Sequence, residues 1–405
     1  MKFKELVYST LAVVLLMSCG VNKETFIKSN TDFADKQFTN AINASNDINL
    51  IPRSIKEDGS LKSVKVYNWT SGFFAGDLWY MYKLTGDQKW KKEAIKRTEV
   101  LDTIQYWSGN HDVGFMIGDS YGLGYRFADM KEYGPVIVQT AESLIKRYSD
   151  KTKAIKSWNY RKAWDKKTEW FYPVIIDNMM NLELLYEASI ISGDNKYAKI
   201  ATQHALTTMK NHYRKDFSCF HVIDYDVETG KVKDKATCQG FADNSAWARG
   251  QAWGLYGYVL CYRYTKDKQF LEFAENIAEY ILNHPNMPED LVPYWDYNVF
   301  DKGYTAEWNY DPKHKLIGSR DASAAAITSS ALFELAELTG NTHYKKSAEK
   351  MLISLSDNYK ARPNNKYFIL DHSVGSFPHN GEIDVPLSYA DYYFLEALYR
   401  FKETK

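Results

Sequence analysis

Four stretches of this chain repeat one local design: Leu84-Thr85-Gly86-Asp87-Gln88-Lys89-Trp90, Ile191-Ser192-Gly193-Asp194-Asn195-Lys196-Tyr197, Tyr264-Thr265-Lys266-Asp267-Lys268-Gln269-Phe270 and Leu338-Thr339-Gly340-Asn341-Thr342-His343-Tyr344. In each, a polar turn leads to Asp or Asn, an aromatic residue follows, and an alanine comes one helical turn later, at Ala94, Ala201, Ala274 and Ala348. Such a turn ends one helix at a C-cap, starts the next on an Asp or Asn N-cap and packs the aromatic back. Each stretch therefore reads as an αα-hairpin. The aromatics at 197, 270 and 344 recur at near-equal intervals, which suits two hairpins per period, with amphipathic stretches over 139–148 and 270–282 filling the gaps. Strand-like alternation is scarce and falls mainly at 220–225, beside the turn Glu228-Thr229-Gly230. The expected fold is all-α, a toroid of about a dozen helices in one domain, because stacked hairpins share a buried core. Helix ends and loops would floor a concave pocket at its centre.

A chain of 405 residues with 45% hydrophobic residues has ample material for such a core. The formal net charge of +0 gives no reason to expect nucleic acid or an electrostatic grip on a membrane. The aromatic share is high at 15%, with 11 Trp and 31 Tyr, which supplies faces for stacking on sugar rings or simply an aromatic-rich core.

The N-terminus carries Lys2 and Lys4, a short apolar run over 11–17 and then Ser18-Cys19-Gly20, the layout of an export signal too short to span a bilayer. Leu16-Met17-Ser18-Cys19-Gly20 resembles a bacterial lipobox, in which Cys19 is lipidated and becomes the first residue of the mature protein. The expected division is a lipoprotein signal peptide over 1–19, a polar tether over 20–34 and one folded domain over 35–405, periplasmic and tied to the membrane through its lipid alone. Cys219, Cys238 and Cys261 remain, an odd number. Cys219 and Cys238 could bridge a loop, but three buried thiols are the expected state, and no C-x-x-C metal spacing occurs.

Two acidic stretches carry the chemistry. Asp177 lies between Val174-Ile175-Ile176 and Met179-Met180, and desolvation of that kind raises a carboxyl pKa toward the value a general acid needs. Asp112, between His111 and Val113-Gly114-Phe115, is expected to stay ionised. Two carboxyl groups in different settings can divide sugar chemistry, one giving a proton and the other orienting substrate or water. The competing reading of Asp177 is a helix N-cap.

Asn68-Trp69-Thr70-Ser71-Gly72-Phe73-Phe74-Ala75-Gly76, His111-Asp112-Val113-Gly114-Phe115, Ile176-Asp177-Asn178-Met179-Met180-Asn181 and Ser245-Ala246-Trp247-Ala248-Arg249-Gly250-Gln251-Ala252-Trp253-Gly254 together resemble the unsaturated glucuronyl hydrolases of glycoside hydrolase family 88. Tyr389-Ala390-Asp391-Tyr392-Tyr393 fits as well, and the likeness runs from about residue 35 to the C-terminus. The resemblance implies an (α/α)6 barrel and hydration of the C4=C5 double bond that polysaccharide lyases leave on a terminal uronic acid. It matches Asp177 to the acid/base that protonates C4 and Asp112 to the second essential carboxylate, and it implies no metal or organic cofactor. The expected partner is an unsaturated oligosaccharide of disaccharide size, and the expected pH optimum is acid of neutral.

Position by position, the resemblance makes Trp69 a stacking residue and Arg249 the guanidinium near the sugar. Trp247 and Trp253 stand six apart, so one would line the pocket while the other packs. His221 and Gln239 match a pocket His and Gln. Family members that accept sulfated glycosaminoglycan fragments carry Ser-x-x-Ser-x-Lys near the C-terminus; here Ser373 and Ser376 are present but Pro378 stands at the Lys position, leaving His372, His379 or backbone N–H groups to meet a sulfate. The rival readings are an unsaturated rhamnogalacturonyl hydrolase acting on pectin fragments and a non-catalytic glycan-binding lipoprotein.

Overall fold

A computed structural model of the protein describes residues 22–404. All four repeats are αα-hairpins: Phe73–Thr85 with Gln88–Glu99, Leu182–Ser192 with Lys196–His212, Ala248–Thr265 with Lys268–Asn283, and Ala322–Thr339 with Thr342–Asn358. Asp87, Asp194, Asp267 and Asn341 each accept a backbone N–H at the start of the second helix. The first helix ends on a left-handed residue, glycine at Gly86, Gly193 and Gly340 but Lys266 in the third hairpin. The repeat aromatics Trp90, Tyr197, Phe270 and Tyr344 are buried, and the alanine one turn beyond each is fully enclosed because a neighbouring helix passes there.

Two further pairs close the ring. Residues 113–128 run as helix Val113–Ile117, a wider π turn and helix Leu123–Ala128, and are backed by Gly134–Ile145. The C-terminal helix Ser388–Glu403 is backed by the N-terminal helix Lys23–Ala44, with Phe26 and Phe401 edge to face at 6.0 Å. The inner helices touch in the order Phe73–Thr85, 113–128, Leu182–Ser192, Ala248–Thr265, Ala322–Thr339, Ser388–Glu403 and back to the first. This is the expected (α/α)6 barrel.

Each interval between Tyr197, Phe270 and Tyr344 holds one hairpin and not two, because the connections over 213–247 and 284–321 take up the rest. Residues 23–34, expected within a tether, instead form the opening turns of helix Lys23–Ala44. Polar Asn30, Thr31 and Gln37 occupy core-facing positions there and obscure the apolar period; Asn30 is satisfied by the Phe26 carbonyl at 2.9 Å and Gln37 by the Phe368 carbonyl at 2.6 Å. Cys19 and the signal segment lie outside the described residues.

Turns from inner to outer helix are short, while connections from outer to inner helix are long and gather at the end where the inner helices begin. They carry small antiparallel sheets, including one in which Val222–Tyr225 pairs with Pro173–Ile175 on one side and Val232–Ala236 on the other, and the hairpin Ser373–Ser376 with Gly381–Val385. The strand read from the sequence at 220–225 is the middle strand of the first of these.

Candidate active site

The long connections converge on a pocket of about 130 Å³ that takes in Trp69, Asp112, Asp177, Gln239 and Arg249 from the expected set, together with Trp158, Arg161, Ile175, Cys238 and His379. Asp112 sits at the N-terminus of Val113–Ile117 without a capping hydrogen bond from its side chain, so its carboxyl group is left to the pocket. Asp177 lies inside the 3-10 turn Ile176–Asn181 and is not an N-cap. That turn leaves strand Pro173–Ile175 with Ile176 N–H donating to the His221 carbonyl at 3.1 Å, and Asn178 Nδ2 donates to the Ile155 carbonyl at 2.7 Å.

The two acidic segments are fastened to each other. Phe115 N–H donates to Asn181 Oδ1 at 2.9 Å, and the backbones approach so closely at Gly114 that a Cβ there would meet the same oxygen. Gly72, from the Trp69 segment, seats against the Phe115 and Met116 carbonyls in the same way. Sequence motifs far apart in the chain thus meet through glycines that admit no side chain.

Burial pushes both carboxyl groups up to about 7. For Asp177 desolvation dominates, Arg249 opposes it and the neighbouring Asp112 adds to it. For Asp112 desolvation is opposed by Asn110 and Arg147. The expectation that Asp112 stays ionised while Asp177 alone is raised is therefore corrected: both carboxyl groups are buried at the same pocket, and desolvation raises both. Behind each stands an imidazole kept neutral by burial. His111 Nε2 is 3.3 Å from Asp112 Oδ1, and burial lowers its pKa to about 3; His221 Nε2 is 3.6 Å from Asp177 Oδ2, and burial holds it well below the ordinary imidazole value.

Arg249 is fully buried, and its terminal nitrogens are committed to Asp321 Oδ2 at 2.9 Å and to the Val374 and Gly375 carbonyls. It pins the Ser373–Ser376 hairpin to the barrel and offers the pocket its charge. Arg161, by contrast, has no acidic partner among the described residues; its guanidinium lies 4.7 Å from the Trp158 ring centre and 2.6 Å from His379 Nε2. Trp69 is half-buried against Tyr389 at 5.0 Å and Phe73 at 5.8 Å.

No protein-family model matches the chain. Against curated proteins it is 45% identical over 370 residues to an unsaturated glucuronyl hydrolase of Formosa agariphila, covering 90% of this chain and 88% of that one. The chain belongs to the unsaturated glucuronyl hydrolase family. It is also 34% identical to an unsaturated chondroitin disaccharide hydrolase of Streptococcus pneumoniae, covering 82% and 81% of the two chains. Its fold matches the crystal structure of an unsaturated glucuronyl hydrolase specific for heparin with a TM-score of 0.85, at 45% identity, over 94% of this chain and 98% of that one.

Within this unsaturated glucuronyl hydrolase fold, five of the expected binding residues, Trp247, Trp253, Ser373, Ser376 and His221, stand away from the pocket lining. Trp247 is buried between the His221 ring at 4.8 Å and the Arg249 guanidinium at 4.5 Å. Trp253 is fully enclosed against Phe115 and Tyr393, so neither tryptophan offers a face to a sugar. Ser373 is fully buried, while Ser376 is half-buried with its hydroxyl 2.6 Å from His379 Nδ1. The two hydroxyls thus differ in access, Ser373 being enclosed and Ser376 half-exposed. His221 stands behind Asp177. The sequence reading missed Trp158 and Arg161, which sit in a polar, aperiodic connection with no motif to mark them. Cys219, Cys238 and Cys261 are free, buried thiols.

Proposed function

We propose that the protein hydrates the C4=C5 double bond of the unsaturated uronic acid at the non-reducing end of lyase-generated glycosaminoglycan fragments and so releases the adjoining sugar. The observation that carries this reading is the pair Asp112 and Asp177 buried at one pocket, both raised to about 7, beside the charge of Arg249. An enol ether must be protonated on carbon, a step that is slow in water and that a protonated carboxyl group near neutral pKa performs well. Asp177 gives its proton to C4, positive charge develops toward C5 and the ring oxygen, and water adds at C5. The proton lost by that water returns to the Asp177 carboxylate. The resulting hemiketal opens and frees the leaving sugar. Asp112, ionised at that stage, accepts from sugar hydroxyls and faces the developing cation; Trp69 supplies an apolar face; and Arg161 meets the negative charge of the substrate. Loss of the unsaturated chromophore when the protein is added to lyase digests tests this directly, and an unchanged absorbance across heparin, chondroitin and hyaluronan digests would contradict it.

The favoured substrate class is a sulfated fragment, heparin above the others. The likeness to the heparin-specific hydrolase supports it, as does the Arg161–His379 pair at the pocket mouth, where Pro378 replaces the Lys of the sulfate pattern. Comparing kcat/KM on sulfated and unsulfated heparin disaccharides is the check. We infer further that Cys19 is lipidated and holds the protein at a bacterial membrane in the periplasm; Cys19→Ala would release it from the membrane fraction with the activity of the folded domain intact.

A further inference from the structure

Two buried atoms without a hydrogen-bond partner face one another behind the pocket. Oδ2 of Asp177 and Nε2 of His221 are 3.6 Å apart, and neither has a hydrogen bond among the described residues. The other ring nitrogen is fully engaged: His221 Nδ1 accepts the backbone N–H of Cys238 at 2.9 Å and of Gln239 at 3.1 Å. A ring nitrogen that accepts carries no hydrogen, so in the neutral imidazole the hydrogen is on Nε2 and points at Asp177. The ring is wedged between Trp247 at 4.8 Å and Trp158 at 6.0 Å, and its side chain is 1% exposed, which keeps it from the substrate. Asp177 lines the pocket while its Oδ2 is sealed, so the oxygen turned to the substrate is Oδ1.

We propose that His221 is a positioning residue that decides which oxygen of Asp177 carries the catalytic hydrogen. With Nε2–H aimed at Oδ2, a hydrogen on Oδ2 would meet it head on, so the acidic hydrogen is confined to Oδ1, within reach of C4. This rests on Asp177 being the acid of the proposed reaction. When Oδ1 gives its proton to the carbon, the charge left on the carboxylate is shared with Oδ2 and met by Nε2–H; when water adds at C5, its proton returns to Oδ1. At 3.6 Å the resting contact sets the Nε2–H dipole against a protonated, neutral carboxyl group, and it tightens as charge develops on the carboxylate. The cradle is built by sequence: the 3-10 turn that holds Asp177 hangs from the His221 carbonyl, and the Cys238-Gln239 backbone fixes the ring, so the two side chains share one scaffold.

A donor to the carboxylate favours its charged form, so removing it raises the pKa of Asp177. The groups that face Asp177 are Arg249, Asp112, the Trp253 indole N–H and the Cys219 and Cys238 thiols; those that act on His221 are Arg161, Arg249, His212 and His379. These stay in place in two variants of the full chain. His221→Asn keeps an acceptor for the Cys238 and Gln239 N–H groups but has nothing at the Nε2 position, whereas His221→Gln restores an amide donor there. In His221→Asn we expect kcat to fall about 10- to 100-fold with KM changed less than about 3-fold, and the alkaline limb of the kcat/KM profile to move up by roughly half a unit to one unit. His221→Gln should recover a large part of both. Equal losses in the two variants with an unmoved limb would overturn the proposal, as would a rise in KM at constant kcat, which would place His221 on the substrate. A readout independent of either variant is the ¹⁵N shift pattern of His221 in the wild-type chain: a hydrogen on Nδ1 would also overturn it. Wild-type protein inactive on every unsaturated substrate would refute the proposed function itself, and the ¹⁵N pattern would still report the tautomer.

Discussion

Gly114 lies so close to Asn181 that a Cβ on the glycine would stand 2.4 Å from Asn181 Oδ1 and 2.6 Å from its Cα. That contact locks the segment of Asp112 to the segment of Asp177, and the Phe115 N–H bond to Asn181 sets the register between them. Gly114→Ala must push the two segments apart. We expect a stability loss of about 1–3 kcal/mol from overpacking and a fall in kcat/KM of roughly 10²-fold from displaced carboxyl groups. Urea denaturation and steady-state kinetics check the two effects; an alanine variant within twofold of wild type would show that the segments yield without disturbing the chemistry.

The helix turn at Lys266 offers a test of the repeat. Its three counterparts are glycines at positive φ, whereas Lys266 is held at φ 58. Replacing it by glycine removes the Cβ conflict at the cost of a weak cation–π contact with Tyr262 at 5.5 Å. Lys266→Gly should stabilise the fold by roughly 1 kcal/mol, read as a higher denaturation midpoint with an unchanged slope. A lower midpoint would mean that the unfolded-chain entropy of glycine outweighs the relief.

At the barrel end opposite the pocket, Glu334 takes Arg263 at 2.5 and 2.7 Å and also pairs with Arg400. Burial acts to raise its pKa, but the two guanidinium groups win and hold it well below the usual carboxylate range. Glu334→Gln removes the carboxylate shared by two half-buried guanidinium groups, leaving Arg263 to Glu183 and Arg400 to Glu396, and we expect a loss of about 1–2 kcal/mol with kcat unaffected at a temperature where the variant is folded. Because the folded-state value is depressed, the contribution of Glu334 is complete above the ordinary carboxylate pKa and is lost as the pH falls toward the depressed value. The difference between wild type and variant should therefore shrink in acid, which denaturation at several pH values measures.

The pH dependence of catalysis follows from the pair. The working form has Asp177 protonated and Asp112 ionised. As pH falls Asp112 gains a proton, and as pH rises Asp177 loses one, so kcat/KM follows a bell. Both groups are raised to about 7 and repel each other when ionised. Their macroscopic values therefore straddle neutrality, and the bell should be narrow and centred near pH 7 rather than on the acid side expected from a single raised carboxyl group. A rate that stays flat well into the alkaline range would contradict this.

The hairpins were legible because cap, turn and aromatic are local signals: Asp87 and Trp90 announce a helix start whatever surrounds them. The pocket was legible as far as its motifs were, which is why Trp69, Asp112, Asp177, Gln239 and Arg249 come together. What lay hidden depends on distant contacts. The helix at residue 23 was masked by Asn30 and Gln37, polar residues whose partners come from the Phe26 and Phe368 carbonyls. Arg161 and Trp158 carry no periodicity, and only the folded chain brings them beside His379. The commitment of Arg249 to Val374 and Gly375 joins residues more than a hundred positions apart, a pairing no local pattern encodes.

The central claim is that Asp177 delivers a proton to carbon. Turnover of an unsaturated heparin disaccharide in heavy water, with the released 4-deoxy uronate read by NMR or mass spectrometry, tests it most directly, with Asp177→Asn as the control. One solvent deuterium is expected at C4 in the wild-type product, and no product from the Asn variant. A product without deuterium at C4, or turnover of saturated glucuronides at a comparable rate, would contradict it.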